Sequence, residues 1–214
     1  MMISKSRLKF NLNIFREYAK SAEIGCVLKS NSYGCDTKII SNFFSAQGIK
    51  TFFVASHDEA QDLANTLNEH SKIYVLADYW MPFKLSKKSY IISVTSRYED
   101  LNKSLKFFND HSNSFASIHL DCGLNRYGIQ DSKLLRDSMK LIKRTKQENL
   151  LVIAHLSHAD NFKSRENYEQ LDQLLGFRKE FPGFKYSISG SAAVINDSVF
   201  SMDIVRSGLS LFGA

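Results

Sequence analysis

The chain has 214 residues, of which 43% are hydrophobic and 23% charged, and its formal net charge at pH 7 is +6. This composition is ordinary for a folded globular protein and excludes an intrinsically disordered chain, which has too few apolar residues to form a core. No segment approaches the run of about 18 apolar residues that a membrane-spanning helix needs, and the first residues lack the apolar stretch of a signal peptide. We therefore predict a cytoplasmic protein with no membrane partner.

The positive charge alone is compatible with a nucleic-acid partner. Its cluster at residues 140–146 (KLIKRTK), however, follows a helical pattern with apolar residues on the inner side. A solvated helix face explains that cluster, so we expect no nucleic-acid partner, whereas anionic small molecules fit the sign of the charge. No CxxC pair is present, so we predict reduced thiols and no metal site for the three cysteines, Cys26, Cys35 and Cys122.

The first predicted element is residues 8–12 (LKFNL), in which apolar and polar residues alternate. A period of two is typical of a half-buried strand, so we predict a strand here, followed by a helix that begins near Ile14. This strand does not belong to the repeating pattern that follows it. We therefore divide the chain into an N-terminal strand segment, residues 1–13, and a barrel domain, residues 14–214.

Eight short apolar runs follow, most of them continuous and rich in β-branched or aromatic residues, which is typical of strands buried on both faces. These runs are residues 24–28, 51–55, 73–76, 91–94, 116–120, 150–154, 186–189 and 204–209. Segments with helical periodicity lie between them, at residues 38–47, 58–68, 98–109, 132–146 and 167–180. Ser56 with Glu59, and Ser96 with Glu99, have the spacing of capping boxes at the starts of two of these helices.

This alternation predicts a parallel sheet, and about eight strands in one chain of this length predict an α/β fold of the (β/α)₈ TIM-barrel type. A doubly wound open sheet is the alternative. The sequence ends at residues 211–214 (LFGA), directly after the last predicted strand. We therefore expect the helix that should cover this strand to be missing.

Lys29 is the first candidate for chemistry, because it directly follows a buried strand and would lie at the C-terminal mouth of the barrel. Partial desolvation there lowers the pKa of an amine and makes it a nucleophile for a carbonyl, as in Schiff-base formation. A solvated lysine at the end of a strand is an equally good interpretation of the spacing alone.

The segment around this lysine, residues 26–35 (CVLKSNSYGC), resembles the cofactor-lysine signature of alanine racemases, A-V-V-K-A-N-A-Y-G-H-G. Three later segments resemble further motifs of the family in the same order. Residues 119–128 (HLDCGLNRYG) resemble K-x-D-T-G-M-x-R-x-G, and residues 154–160 (AHLSHAD) resemble T-H-F-A-x-A-D. Residues 189–193 (SGSAA) and 203–213 (DIVRSGLSLFG) resemble A-N-S-A-A and D-x-V-R-P-G-I-x-L-Y-G. The resemblance runs from about residue 8 to the end of the chain.

The resemblance implies a barrel that binds pyridoxal 5′-phosphate (PLP). Lys29 would form the internal aldimine and then serve as a base on one face of the substrate α-carbon. Four residues would hold the cofactor phosphate through a hydroxyl or a backbone amide: Tyr33, Ser191, Gly208 and Leu209.

Three further roles are implied by the resemblance. Arg206 would face the pyridine nitrogen, and because an arginine keeps its proton, that nitrogen would stay unprotonated. Arg126 would lie near the phenolic oxygen of the cofactor and the substrate carboxylate, and His155 would hydrogen-bond Arg206. The sequence departs from the family pattern at four positions, where lysine, asparagine, tyrosine and histidine are replaced by His119, Gly190, Phe212 and Cys35 respectively.

The implied function is interconversion of L-alanine and D-alanine, which supplies D-alanine for peptidoglycan. Family members continue into a β-rich C-terminal domain whose tyrosine is the second catalytic base and reaches the active site of the other subunit. We therefore expect the activity of this chain alone to be low, and its partner to be a second copy or a separately encoded C-terminal half. A separately encoded C-terminal half would dock on residues 8–12 and on the uncovered last strand.

Three alternatives remain at this point. A lone-barrel protein of PLP homeostasis has a similar length and also carries a cofactor lysine. The chain could also be an inactive remnant of a racemase. A decarboxylase of the same barrel class is disfavoured, because Arg206 rather than an acidic residue is placed against the ring nitrogen.

Overall fold

Parallel strands and helices alternate along the computed structural model, which describes residues 3–67, 70–76, 89–109, 117–144, 150–161 and 163–213. The strands are β1 (Glu23–Val27), β2 (Thr51–Val54), β3 (Lys72–Val75), β4 (Tyr90–Thr95), β5 (Ser117–His119), β6 (Leu151–Ile153), β7 (Lys185–Ser187) and β8 (Ile204–Ser207).

The helices are α1 (Lys5–Ala19), α2 (Lys29–Gly34), α3 (Thr37–Ala46), α4 (His57–Thr66), α5 (Tyr98–Asn109), α6 (Ser132–Arg144), α7 (Arg165–Glu180) and α8 (Ser191–Asn196). Two 3₁₀ turns, Ser198–Ser201 and Leu209–Phe212, precede and follow β8. Within the described residues, no helix combines the length and the apolar character needed to cross a membrane.

The sheet is a nearly closed barrel. Its strands pair in parallel in the order β7-β6-β5-β4-β3-β2-β1-β8. A parallel bridge between Gly190 and Arg206 joins the two outer strands, and the Arg206 N–H donates to the carbonyl of Ser189 at 3.1 Å. The (β/α)₈ prediction is therefore confirmed, and the open doubly wound sheet is excluded.

The lumen of the barrel is filled by an apolar layer to which most of the strands contribute. Its buried members are Val27, Phe53, Tyr74, Ile92, Val94, Leu151, Ile153 and Ile204. The rings of Phe53 and Tyr74 stack with their centroids 5.0 Å apart. Because this layer fills the lumen, the polar side chains at the C-terminal ends of the strands surround a cavity that is closed on its inner side.

The strand predicted at residues 8–12 is wrong, because this segment lies inside helix α1. Ser4 caps the helix, with its hydroxyl accepting from the N–H of Arg7. The buried residues are Leu8, Leu12, Phe15 and Ala19, whose spacing of four, three and four is that of a helix. Phe10, which completed the apparent alternation, is 66% exposed. The boundary predicted between residues 13 and 14 therefore falls within one continuous helix.

Helix α1 also covers the strand that was expected to be bare. Val205 of β8 is fully buried and belongs to the same apolar cluster as Leu8, Leu12 and Leu211. The side chain of Asn11 donates to the carbonyl of Leu211 at 3.0 Å and ties the helix to the second 3₁₀ turn. The expectation of an uncovered last strand is corrected, since the covering helix precedes β1 in the sequence.

Candidate functional site

A cavity of about 800 Å³ opens at the C-terminal end of the barrel. All eight residues that the sequence singled out line it, namely Lys29, Tyr33, Arg126, His155, Ser191, Arg206, Gly208 and Leu209. No aspartate or glutamate is present among the described residues that line this cavity, whereas a lysine and two arginines are. The cavity is therefore suited to an anionic ligand.

Lys29 begins an unusual turn, α2, in which residues 30–33 have left-handed backbone angles, with φ between 52° and 56°. Each non-glycine residue in this conformation costs on the order of 1–2 kcal/mol, so specific contacts must hold the run together. Asn31 Oδ1 accepts from the N–H of Thr37 at 2.9 Å, and the hydroxyl of Ser32 donates to that of Thr37 at 3.0 Å. The turn presents Lys29 and Tyr33 to the same cavity.

Arg206 is held at the base of the cavity and is 5% exposed. One guanidinium nitrogen donates to the carbonyl and the hydroxyl of Ser187, at 2.9 and 2.6 Å. The other donates to the carbonyl of Ala154 at 2.6 Å and lies 3.2 Å from Nδ1 of His155. Burial lowers the pKa of Arg206 to about 9. Because this value is still above neutral pH, the guanidinium remains protonated. Because the hydrogen bonds described for Arg206 all go to neutral acceptors, its charge is not compensated by them.

Two histidines beside this arginine are neutral. Burial and the nearby charge of Arg206 lower the pKa of His155 to about 3 and the pKa of His119 to about 4. Since the guanidinium is the donor in its contact with Nδ1 of His155, we assign the proton of His155 to Nε2. The hydrogen bond expected between His155 and Arg206 is therefore present in the structure.

Because these two histidines are neutral in the folded chain, we predict that the free energy of unfolding decreases in mild acid. The unfolded chain takes up these protons below about pH 6.5, whereas the folded chain does so only near pH 4 and pH 3. The free energy of unfolding should therefore be highest above pH 6.5 and should fall as the pH drops, by up to about 1.4 kcal/mol per pH unit for each histidine.

Urea unfolding at pH 7, 6 and 5 tests this dependence, in a range above the ordinary pKa of carboxylates. The variants His119→Asn and His155→Asn should each have a flatter pH profile than the wild type. An unchanged slope in both variants would contradict neutral histidines in the folded chain.

Tyr33, Ser191 and Gly208 meet on the other side of the cavity. The N–H of Gly208 donates to the hydroxyl of Ser191 at 2.9 Å. A Cβ atom on residue 208 would lie 2.5 Å from the hydroxyl oxygen of Tyr33, so only glycine allows this approach. Helix α8 and the second 3₁₀ turn begin here, and the first N–H groups of a helix have no partner within it. Hydroxyl and amide groups therefore converge on one small region that suits a phosphate or carboxylate.

Arg126 reaches the cavity from a hydrogen-bonded loop after β5. Asp121 Oδ1 accepts from the N–H groups of Gly123 and Asn125 at 2.9 and 3.1 Å. Gly128 has a φ of 120°, and a Cβ there would lie 2.5 Å from the backbone nitrogen of Asp121. The loop thus fixes the backbone on both sides of Arg126, whose guanidinium lies 5.5 Å from the ring centroid of Tyr127.

Sequence reasoning missed two supporting side chains. Gln170 of helix α7 accepts from the N–H of Ser157 at 2.9 Å and donates to the carbonyl of His155 at 3.4 Å. Glu59 of helix α4 accepts from the N–H of Ser30 at 2.7 Å. The capping-box spacing predicted a hydrogen bond of Glu59 within the start of helix α4, and not one to the turn beside Lys29.

The comparisons with known proteins agree with this geometry. Residues 3–214 match the family model described as the N-terminal domain of alanine racemase. The alanine racemase of Rickettsia africae is 26% identical over an alignment 215 residues long, which covers 99% of this chain and 60% of that protein. The alanine racemase of Rhizobium meliloti is 25% identical, with coverage of 100% and 56%. The chain thus spans about 60% of the length of these curated relatives.

Solved structures of alanine racemases have the same fold. The enzyme of Bartonella henselae, with covalently bound pyridoxal phosphate, has a TM-score of 0.85 at 24% identity, over 99% of this chain and 62% of that one. The enzyme of Acinetobacter baumannii has a TM-score of 0.87 at 22% identity, with the same coverage. Since the family model covers nearly the whole chain, the protein belongs to the alanine racemase N-terminal domain family.

Proposed function

We propose that the cavity binds PLP through Lys29, and that the chain is the cofactor-binding part of a racemase acting on alanine. The observation that carries this proposal is the placement of a lysine and a cluster of hydroxyl and amide groups in one cavity. The reaction would supply D-alanine for peptidoglycan in the cytoplasm.

The residues present fit PLP in charge and in contact chemistry. The close approach of Gly208 to the hydroxyl of Tyr33 brings backbone N–H groups next to hydroxyl groups, which is what a phosphate requires. The N–H of Gly208 itself donates to the hydroxyl of Ser191. The hydrogen bonds described for Arg206 go to neutral acceptors, so an anionic ligand nearby would balance its charge. A cavity of about 800 Å³ is within the size range of cofactor sites.

Each side chain then has a defined task. Tyr33, Ser191 and the amides of Gly208 and Leu209 would hold the phosphate, with the Gly208 amide exchanging its bond to the Ser191 hydroxyl for one to the phosphate. Arg206, kept in place by Ser187, Ala154 and His155, would face the ring nitrogen. Because Arg206 remains protonated and His155 remains neutral, the surroundings of the ring nitrogen do not offer it a mobile proton.

Bound PLP supplies an electron sink that stabilises negative charge on the substrate α-carbon. The amine of Lys29 accepts a proton from that carbon on one face and returns it on the same face. Arg126, at the mouth of the cavity, binds the substrate carboxylate and fixes which face is presented to Lys29. Since His119 and His155 are neutral, the attraction for the anionic ligand comes from the lysine and the two arginines that line the cavity.

Racemisation needs a second acid–base group on the opposite face of the α-carbon. We propose that this group is contributed by a partner subunit or by a C-terminal half. Since residues 8–12 form part of helix α1, the partner would not pair with them as a strand.

Exchange of the α-proton of alanine in D₂O tests the function. The chain with PLP should exchange the α-proton of one enantiomer in a reaction that depends on Lys29, measured by NMR. Addition of the partner that carries the second acid–base group should raise the rate of racemisation by about 10²–10⁴-fold. A chain that binds PLP but exchanges the α-proton of neither enantiomer would be a PLP carrier, and the racemase proposal would fail.

A further inference from the structure

Glu59 connects the ends of two barrel strands beside the cavity. Its Oε1 accepts from the N–H of Ser30 at 2.7 Å, and its Oε2 accepts from the N–H of Ala55 at 2.7 Å. Ser30 directly follows Lys29, and Ala55 directly follows β2. One carboxylate therefore links the turn that begins at Lys29 to the neighbouring strand.

This carboxylate does more than cap a helix. Ser56 caps α4, since its hydroxyl accepts from the N–H of Glu59 at 3.2 Å. In a capping box the carboxylate returns to the N–H of the capping residue, here Ser56. Glu59 instead reaches Ala55 and crosses to Ser30, a residue 29 positions away. Both of its oxygens are thus directed at backbone groups beside the cavity.

The backbone on both sides of Lys29 is held by hydrogen bonds, and Glu59 supplies one of them. Before it, the N–H of Leu28 donates to the carbonyl of Phe53 at 2.7 Å. After it, the N–H of Ser30 donates to Glu59 at the point where the left-handed run begins. Since residues 30–33 are all non-glycine, this conformation needs support from outside the turn.

We propose that Glu59 is a positioning residue that clamps the start of the left-handed turn and so directs the amine of Lys29 into the cavity. Glu59 is half-buried and is not among the residues that line the cavity, so it acts through the backbone of Ser30. We call the two hydrogen bonds from Ser30 and Ala55 to Glu59 the clamp. Its role in directing Lys29 rests on the proposed function, whereas the hydrogen bonds themselves are present in the chain without cofactor.

Three variants separate the clamp from the charge of Glu59. Glu59→Ala removes both acceptors, and Glu59→Gln keeps one oxygen acceptor and loses the other. Asp58→Asn is the matched control, because Asp58 is also in the first turn of α4 and its substitution removes the same charge from the same helix end. Circular dichroism and thermal unfolding establish that each variant is folded.

Amide hydrogen exchange of the cofactor-free chain tests the clamp directly. In Glu59→Ala, exchange at Ser30 and Ala55 should accelerate by about 10-fold to 100-fold, as expected for the loss of hydrogen bonds to a charged acceptor. In Glu59→Gln only one of the two amides should accelerate, and in Asp58→Asn neither should. Unchanged exchange at both amides in Glu59→Ala would overturn the clamp.

Borohydride reduction after incubation with PLP tests the consequence for Lys29. The share of the label found on Lys29 should fall in the order wild type, Glu59→Gln, Glu59→Ala, with Asp58→Asn equal to wild type. Faster exchange with an unchanged share on Lys29 would overturn the positioning role. A wild-type chain with no label on Lys29 would contradict the proposed function, while the exchange data would still decide whether Glu59 clamps the turn.

Discussion

Replacing Lys29 by arginine is expected to abolish covalent attachment of PLP. Arginine keeps the positive charge at the mouth of the cavity, but its guanidinium does not act as an amine nucleophile toward an aldehyde. The visible absorbance band produced by a PLP–lysine linkage should therefore be absent at every cofactor concentration. Absorbance titration of the purified variant with PLP measures this.

Weak non-covalent binding should remain in Lys29→Arg, because Tyr33, Ser191 and Gly208 are unchanged. Lys20→Arg is a suitable control, since Lys20 lies outside this cavity and should not affect the band. If Lys29→Arg retained the band at wild-type strength, another lysine would carry the cofactor, and the assignment of Lys29 would be wrong.

Replacing Gly208 by alanine is expected to weaken PLP binding by about 10-fold to 100-fold, as expected for the loss of one or two hydrogen bonds to a charged group. The added Cβ would lie 2.5 Å from the hydroxyl oxygen of Tyr33 and 3.4 Å from Cβ of Val27. Because the tyrosine hydroxyl is the movable end of a side chain, we expect Tyr33 to swing away while the barrel stays folded. Equilibrium titration with PLP, together with thermal unfolding, measures both effects.

Gly190→Ala is the matched control for Gly208→Ala. A Cβ on residue 190 would have its nearest contact 3.7 Å away, at Cε1 of His155, which is an ordinary van der Waals distance. Its affinity for PLP should therefore stay within about twofold of wild type, a difference below about 0.5 kcal/mol. Equal losses of affinity in both variants would show that the close approach at Gly208 is not what forms the phosphate site.

Much of the fold could be predicted from the sequence, because buried parallel strands leave continuous apolar runs that alternate with helical segments. The error at residues 8–12 has a specific cause. Leu8 and Leu12 are one helical turn apart and also fit a period of two, and Phe10 between them is apolar but exposed. In a segment of only five residues, one exposed apolar residue is enough to make the apolar pattern of a helix look like that of a strand.

The residues lining the cavity were predictable for a different reason. They lie at or near strand ends within recognisable motifs, so the motifs place Lys29, His155 and Arg206 towards the C-terminal end of a barrel. The supporting contacts were not predictable in this way. The bond between Glu59 and Ser30 joins residues 29 positions apart, and it depends on the left-handed turn that only the folded chain shows.

The most direct test of the proposed PLP site is to incubate the chain with PLP, reduce it with borohydride and map the labelled peptides by mass spectrometry. We predict a single major adduct on Lys29 at one equivalent of PLP, lost when inorganic phosphate competes at high concentration. Label distributed over surface lysines such as Lys140 and Lys163, with none enriched on Lys29, would show that the cavity is not a PLP site.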